Sequence, residues 1–347
     1  MESSKSNILY MRTLFKILSF VCVAVSLFCS CGTPALTGKP GSSGKTLELM
    51  VVTKSSIYST MAKEALDSLF RTPQEALNQP EPRFETVQIS PSKFDGNTMF
   101  QSHRNILMLE VDPQGLNKIF LEYDKWATPQ VIIRITADSK RSLDSMLLAN
   151  GDRLLKEFYN QEYRRMDKVF SQTPAVKIIN AVYDKFGFRL SIPEEFSLAK
   201  SQDDFMWVRK EAKDFSLQLY IYSMPAGESA SMEESAILDR LDTMLKKYVP
   251  GPSEGSYPGV ERRDFFYTRD VMLGDVKAVE TRGLWRTYND FMSGPFVCYT
   301  FVAPESRQLI TLMGCVYSPS QRSKMMMKRD LLMQVDGICR SIKFEKL

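Results

Sequence analysis

Residues 296–316 read FVCYTFVAPESRQLITLMGCV, and the fold is decided there. Two apolar runs, Phe296–Val302 and Gln308–Val316, flank Pro304 and predict a pair of strands. Upstream, Asp264–Met272 and Val276–Leu284 form another strand-like pair, joined by a turn at Gly274-Asp275. Before them, Ile237, Leu241, Met244, Leu245 and Tyr248 recur on one side of a helix. Ser231-Met232-Glu233-Glu234 has the capping-box pattern that opens such a helix, and Pro250-Gly251-Pro252 stops it. Earlier still, Phe188–Ile192, Phe205–Lys210 and Ser216–Ser223 read as three strands. Downstream, Met327, Leu331, Val335, Ile338 and Ile342 define a final helix. Three strands, a helix, about four strands and a helix predict a mainly antiparallel sheet covered by helices.

The first half alternates differently. Thr46–Thr53, Phe84–Ser90, Asn105–Val111 and Gln130–Thr136 read as strands. Ile57, Met61, Ala65, Leu66 and Leu69 have helical spacing, and Pro73, Pro80 and Pro82 break up the loop that follows. Asp138 or Ser139 can cap a long helical stretch whose apolar face is Leu143, Leu147, Leu154, Phe158 and Met166. Pro174 suits a first helical position, and Gly187 ends that helix. The expected class is α+β, in two α/β sandwich-like halves. The boundaries are 1–30 for a lipoprotein signal peptide and 31–45 for a lipidated cysteine and flexible tether. An N-terminal α/β domain follows over 46–172, and a C-terminal α+β domain over 173–347.

Two resemblances accompany this reading. The element order over roughly 186–345, with Leu190-Ser191-Ile192-Pro193-Glu194-Glu195-Phe196 leading in, resembles the PsbP/Mog1-like fold. Arg104–Asp112, Tyr123–Thr136 and Arg282-Gly283-Leu284-Trp285 through Gly294-Pro295-Phe296-Val297 resemble an uncharacterised family of Bacteroidota envelope lipoproteins, the domain of unknown function 4837 type. That resemblance implies a lipid anchor and supports the boundaries, and it brings no catalytic residues with it.

The N-terminus reads as an address. Arg12 and Lys16 precede an apolar run from Ile17 to Phe28. The run is too short for a bilayer core of about 30 Å and suits a secretory h-region. Leu27-Phe28-Cys29-Ser30-Cys31 resembles a bacterial lipobox, which implies cleavage before Cys31 and attachment of fatty-acyl chains, such as palmitate, to it. The membrane is then a partner through Cys31. Segment 32–45, rich in Gly, Ser and Pro, reads as a tether with almost nothing to bury. Acidic residues do not directly follow Cys31. Their presence would resemble a surface-export signal, so the expected location is the outer membrane, facing the periplasm.

Composition excludes more than it assigns. Of 347 residues 25% are charged, and the formal net charge is +4. Lys5, Arg12 and Lys16 against Glu2 take half of that into the leader, so the body offers no electrostatic footprint for nucleic acid. One histidine excludes a multi-histidine metal site. Three of the six cysteines lie in the leader region; Cys298, Cys315 and Cys339 remain, without zinc-clip or redox spacing. They read as buried thiols, with a Cys298–Cys315 disulfide left open.

Catalytic chemistry finds little footing. His103 lies beside Arg104 and lacks a nucleophile-elbow partner. No phosphate loop, dinucleotide fingerprint or calcium loop is present. Met325-Met326-Met327 point to different sides of a helix, and the run Lys324, Lys328, Arg329 reads as a solvated face. The distinctive local chemistry is aromatic and basic. Arg282, Trp285, Arg286 and Phe291 fall in one turn-rich stretch, and Trp126 follows Lys125. Such residues either stack on a sugar or anchor a protein partner, or they close the core, with Trp285 inside and Arg282 in water. The expectation is a non-enzymatic, lipid-anchored binding or scaffolding module with an envelope protein or glycan partner and no cofactor. The alternatives are a carboxylate-based hydrolase acting on cell-wall or carbohydrate material, and capture of a small apolar ligand between the halves.

Overall fold

In the first half, five strands lie in the order β2-β1-β3-β5-β4. The computed structural model describes residues 38–58, 61–227, 230–319 and 327–344. The leader, Cys31, Lys324 and Met325-Met326 fall outside the described residues. Strands β1 (Glu48–Val52), β2 (Glu85–Ile89), β3 (Asn105–Val111) and β5 (Val131–Ala137) are parallel, and β4 (Lys118–Tyr123) runs antiparallel along the edge. Parallel neighbours need crossovers. Short helices α1 (Ser55–Tyr58) and α2 (Met61–Leu66) follow β1, and α3 (Pro91–Phe94) and α4 (Thr98–Gln101) follow β2. The long stretch after β5 is two helices, α5 (Lys140–Ala149) and α6 (Gly151–Phe170). The Ser139 hydroxyl caps α5, accepting from the Ser142 amide at 3.2 Å. Leu143, Leu147, Leu154 and Phe158 meet Leu49, Val51, Leu107 and Ile133 of the sheet in the main core. A smaller cluster of Val52, Ile106, Ile132 and Phe94 covers the other face.

The second half opens with α7 (Val176–Phe186), which ends at Gly187 with φ +77°, a backbone shape that only glycine adopts freely. Its sheet is antiparallel in every pairing, in the order β10-β11-β12-β13-β8-β7-β6, with β9 also beside β11. The strands are β6 (Ser197–Gln202), β7 (Phe205–Glu211), β8 (Ser216–Pro225), β9 (Tyr257–Val260), β10 (Tyr267–Leu273), β11 (Val276–Tyr288), β12 (Ser293–Val302) and β13 (Gln308–Tyr317). Side chains alternate between the faces. Val297, Tyr299 and Phe301 of β12 pack towards α7 and α9 (Lys328–Arg340). Phe296 and Cys298 pack towards α8 (Glu234–Tyr248). The class is therefore α+β, with a C-terminal antiparallel sheet covered by helices.

Local readings differ in several places, among them the run Lys324, Lys328, Arg329, where Arg329 is buried and donates to the Pro82 carbonyl instead of lying on a solvated face. Phe188–Ile192 is extended but makes only an isolated bridge, Arg189 to Lys343; its alternating Phe188, Leu190 and Ile192 fill the core without a ladder. The third strand of that meander is β6, whose polar and mostly exposed residues carry no apolar alternation. Ser231 does not share a capping box with Glu234. Its hydroxyl accepts from the Glu233 amide at 3.1 Å, and Glu234 instead accepts from Thr268 at 3.0 Å. The end of the tether segment is also pinned. Ser43 donates to the Ser102 carbonyl at 2.8 Å, and Arg104 donates back to Ser43 at 2.9 Å, because residues as small as Gly41 and Ser43 can lie flat on the sheet end.

Residues Gly41–Leu347 form one compact unit, and α6 and α9 join its two sheets. Met333 of α9 belongs to the N-terminal core, and Phe170 of α6 touches both cores. Gly337 lets the helices approach: a Cβ there would meet the Met166 sulfur at 3.0 Å. The Glu81 carboxylate, from the proline-broken loop, accepts from the Lys328 amide at 3.1 Å and the Arg329 amide at 2.8 Å. It caps α9, where the helix dipole favours a negative charge. Glu81→Gln keeps one acceptor and loses the charge, so urea unfolding should show a loss of about 1 kcal/mol. An unchanged midpoint would remove this cap from the account.

Candidate ligand-binding cleft

The antiparallel register places Arg269, Glu280 and Tyr299 side by side on β10, β11 and β12. Arg282, two residues beyond Glu280, shares its face. Helix α9 crosses that face and adds Asp336 and Arg340, one turn apart. Helix α6 contributes Tyr163. These side chains interlock. Arg282 Nε donates to Glu280 Oε1 at 2.8 Å and its terminal nitrogen donates to Asp336. Arg340 Nε donates to Asp336 Oδ1 at 3.1 Å, and another of its nitrogens reaches Glu280. Arg269 lies 2.7 Å from Glu280 Oε1. The Tyr163 hydroxyl donates to Asp336 at 2.6 Å, and Tyr299 reaches both carboxylates. Glu280 and Asp336 are almost wholly buried.

Burial alone would raise both carboxyl pKa values. Arg282 and Arg340 outweigh it and hold Asp336 far below the carboxylate range, and Glu280 is lowered in the same way. Burial pushes the Tyr163 hydroxyl up, and the Asp336 charge adds to that. The cluster is a permanently charged, fully engaged set at neutral pH. Replacing such a set with apolar residues is often neutral or stabilising, so stability alone does not explain it. Strongly shifted groups beside an open space mark a functional candidate.

That space is present. A cleft of about 1210 Å³ lies between the two sheets, with Arg282, Asp336 and Arg340 at its floor. One wall is α6, through Leu155, Lys156 and Tyr159; the other is β10. The Tyr159 hydroxyl is pushed up to about 12 by burial and donates to Gln74 at 2.9 Å.

The sequence-derived candidates scatter. Arg282 is in the cleft floor, buried rather than in water. Trp285 points to the opposite face, where its indole donates to the Val316 carbonyl at 3.1 Å. Arg286 pairs with Glu261 at 3.1 Å, and together with the nearer Arg263 it holds the Glu261 carboxyl down to about 2. Phe291 stands fully exposed beyond β11. Trp126 packs edge-on against Phe94 at 5.4 Å, with Lys125 over its ring. Of this set only Arg282 lines the cleft, and Cys31 lies outside the described residues. Asp336, Arg340 and Glu280 were missed. Their signal was charge at core positions: Asp336 sits between Val335 and Ile338 on the apolar face of α9, and Glu280 alternates into a buried face of β11.

The remaining chemistry is occupied elsewhere. His103 is buried, with Nε2 3.1 Å from Glu48, and neither residue lines the cleft. Cys298, Cys315 and Cys339 are free and buried, and burial pushes the Cys298 thiol up to about 12. Cys298 faces Met313 and Cys315 faces Phe296 across β12 and β13, so the two cysteines are diagonal neighbours, not a bonded pair. Among the described residues, no group of three or more His, Cys, Asp or Glu is placed to hold a metal ion. No described helix is long and apolar enough to cross a membrane.

Fold and cleft together define a two-sheet α+β protein with an ion-paired cavity between its sheets. Residues 175–341 match the family model described as Domain of unknown function (DUF4837), and residues 42–171 match Domain of unknown function (DUF8532). No curated protein matches the sequence. Among solved structures, the chain is similar to a single-substitution mutant of Protein Mog1, at 6% identity and a TM-score of 0.29. It is also similar to the Saccharomyces cerevisiae Ran-binding protein Mog1p, at 7% and 0.28. Each comparison covers 46% of this chain and 90% of that one. At these values the likeness carries no functional argument.

Proposed function

We propose that this is a non-enzymatic binding module, held at the periplasmic side of the outer membrane through Cys31, which takes its ligand in the cleft between its two sheets. The observation that carries the reading is a cavity of about 1210 Å³ set against a buried cluster of fixed charges. Binding sites favour such concave spaces between packed units, with a few fixed polar groups giving orientation. A carboxylate hydrolase finds no support in Glu280 and Asp336. Its acid must stay protonated near neutral pH, whereas the neighbouring arginines hold Asp336 far below the carboxylate range and lower Glu280 as well.

Two measurements test this. Mass spectrometry of the mature N-terminus should find acyl groups on Cys31, and Cys31→Ala should release the body from the membrane. A photoreactive benzoylphenylalanine at Asn160, which lines the cleft, should give a discrete adduct in the native envelope. The same group at Phe291, outside the cleft, should not. Adducts at Phe291 with none at Asn160 would overturn the cleft as the ligand site.

A further inference from the structure

Strand β4 is the outer strand of the N-terminal sheet, and among the described residues no strand lies beyond it. Open edges invite pairing with another chain, and proteins guard them with bulges, prolines or charges in mid-edge. Strand β6 is largely polar and bulged between Leu198 and Lys200, and β10 carries Arg269 and Asp270 at its middle. Strand β4 has none of these guards. It reads Lys118-Ile119-Phe120-Leu121-Glu122-Tyr123, pairs with β5 along its whole length without a bulge, and keeps its charges near the ends. Phe120 is 44% exposed, Leu121 41% and Tyr123 44%.

The register fixes which backbone groups are free. Asp124 donates to the Gln130 carbonyl, one step beyond the Tyr123–Val131 pair, whereas the Val131 amide turns the other way, to Arg104. Bonded and non-bonded pairs alternate along an antiparallel ladder. Lys118, Phe120 and Glu122 therefore aim their amides and carbonyls at β5, and Ile119, Leu121 and Tyr123 aim theirs outward. Among the described residues no hydrogen bond reaches those outward groups.

A second copy answers them only where outward residues meet outward residues, and two antiparallel alignments about a twofold axis do so with five residues in step. One sets Phe120 on the axis against its own copy, Ile119 opposite Leu121, and Lys118 opposite Glu122. The other sets Leu121 on the axis, Glu122 opposite Phe120, and Lys118 opposite Asp124, whose carboxylate already accepts from the Gln130 amide at 2.7 Å. Charge complementarity selects the first. Lys118 has no ion-pair partner among the described residues. Glu122 meets Lys125 at 3.1 Å and Arg134 at 3.7 Å, solvent-facing pairs that hold it loosely and leave acceptor sites open. Arg134 and its copy stand three strand spacings apart, about 14 Å, where salt screens them.

We infer that the protein pairs with a second copy of itself through β4, edge to edge about a twofold axis at Phe120, joining two five-stranded sheets into one of ten. This pairing does not depend on the cleft. A single five-residue edge makes a transient contact, below about 1,200 Å², so covalent trapping in the full-length chain is the readout. Phe120→Cys should form an intermolecular disulfide under mild oxidation, identified by mass spectrometry of the bridged peptide, because facing residues of a non-bonded pair are close enough to bridge. Leu121→Cys is almost equally exposed, but its copy lies diagonally at about 7–8 Å, and it should trap at least about tenfold more slowly. Leu121→Pro removes an outward donor from each copy and leaves the ladder to β5 intact. It should keep the urea midpoint and slow trapping of Phe120→Cys at least about tenfold, the worth of two lost hydrogen bonds. Lys118→Glu and Glu122→Lys, each added to Phe120→Cys, set like charges opposite one another and should trap poorly alone; mixed one to one, they should recover. Trapping at Leu121 as fast as at Phe120, or undiminished by a folded Leu121→Pro, would overturn the pairing. So would a charge-swapped mixture that traps no faster than its components, a result that decides the matter even where the proline variant fails to fold.

Discussion

Asp336→Ala is expected to lower the unfolding free energy by about 3–5 kcal/mol, the usual loss when one partner leaves a buried ion pair. The substitution leaves Arg282 and Arg340 facing only Glu280 and removes the acceptor of the Tyr163 hydroxyl. Asp239→Ala is the control. Its partner Arg262 is as close, at 2.7 Å, but both side chains are exposed, and such pairs contribute at most about 1 kcal/mol. Urea unfolding of the two variants gives the comparison directly, and equal losses would refute the account of the cluster. The pH dependence has a definite sign. Asp336 and Glu280 have folded pKa values below their unfolded ones, so their contribution is complete above the carboxylate range and is lost as pH falls through about 4 and below. Between pH 6 and 8 neither group changes stability. The wild-type chain should therefore lose stability more steeply in acid than Asp336→Ala, and parallel acid limbs would contradict the pKa assignment.

Phe158→Ala should also lose about 3–5 kcal/mol, from the lost transfer energy and the cavity left behind. Phe158 is fully buried, with its ring 5.8 Å from that of Phe70 and 6.1 Å from that of Phe84, both edge-on. Three rings meeting this way leave a hole that neighbouring aliphatic chains cannot easily fill. The effect should reach the cleft, because Tyr159 is the next residue and Tyr163 lies just over a turn further along the same helix. Hydrogen exchange should show the amides of α6 opening sooner, and affinity at the Asn160 site should fall. A loss under about 1.5 kcal/mol would mean the core refills, as more plastic cores do.

The strands with strong apolar runs were readable because burial on both faces leaves a continuous signal, as in β12 and β13. Helix ends were readable where one residue type has one job, as with Ser139 and Gly187. Edges were not. Strand β4 exposes Phe120, Leu121 and Tyr123, and β6 is largely polar, so neither alternates. The helix-opening pattern at Ser231 misled because a matching spacing does not fix which backbone donor a carboxylate meets, and Glu234 found Thr268 instead. The cleft was legible only through Arg282. Its other charged members sit at positions that periodicity assigns to the core, and they belong to strands and a helix up to 60 residues apart in the chain. Long-range pairing of this kind leaves no local mark. Aromatic and basic crowding in 282–296 pointed to the right strand but mostly to its wrong face, since Trp285 turns away from Arg282.

Helix α6 is embedded in the first core, and its Phe170 end also touches the second. Swinging the two sheets apart would tear apolar surface from both. The cavity thus stands ready before any guest arrives, and little chain entropy is lost on filling it. Association should proceed like the docking of rigid bodies, at about 10⁵–10⁷ M⁻¹s⁻¹, and the lifetime of the filled state should set selectivity among competing guests.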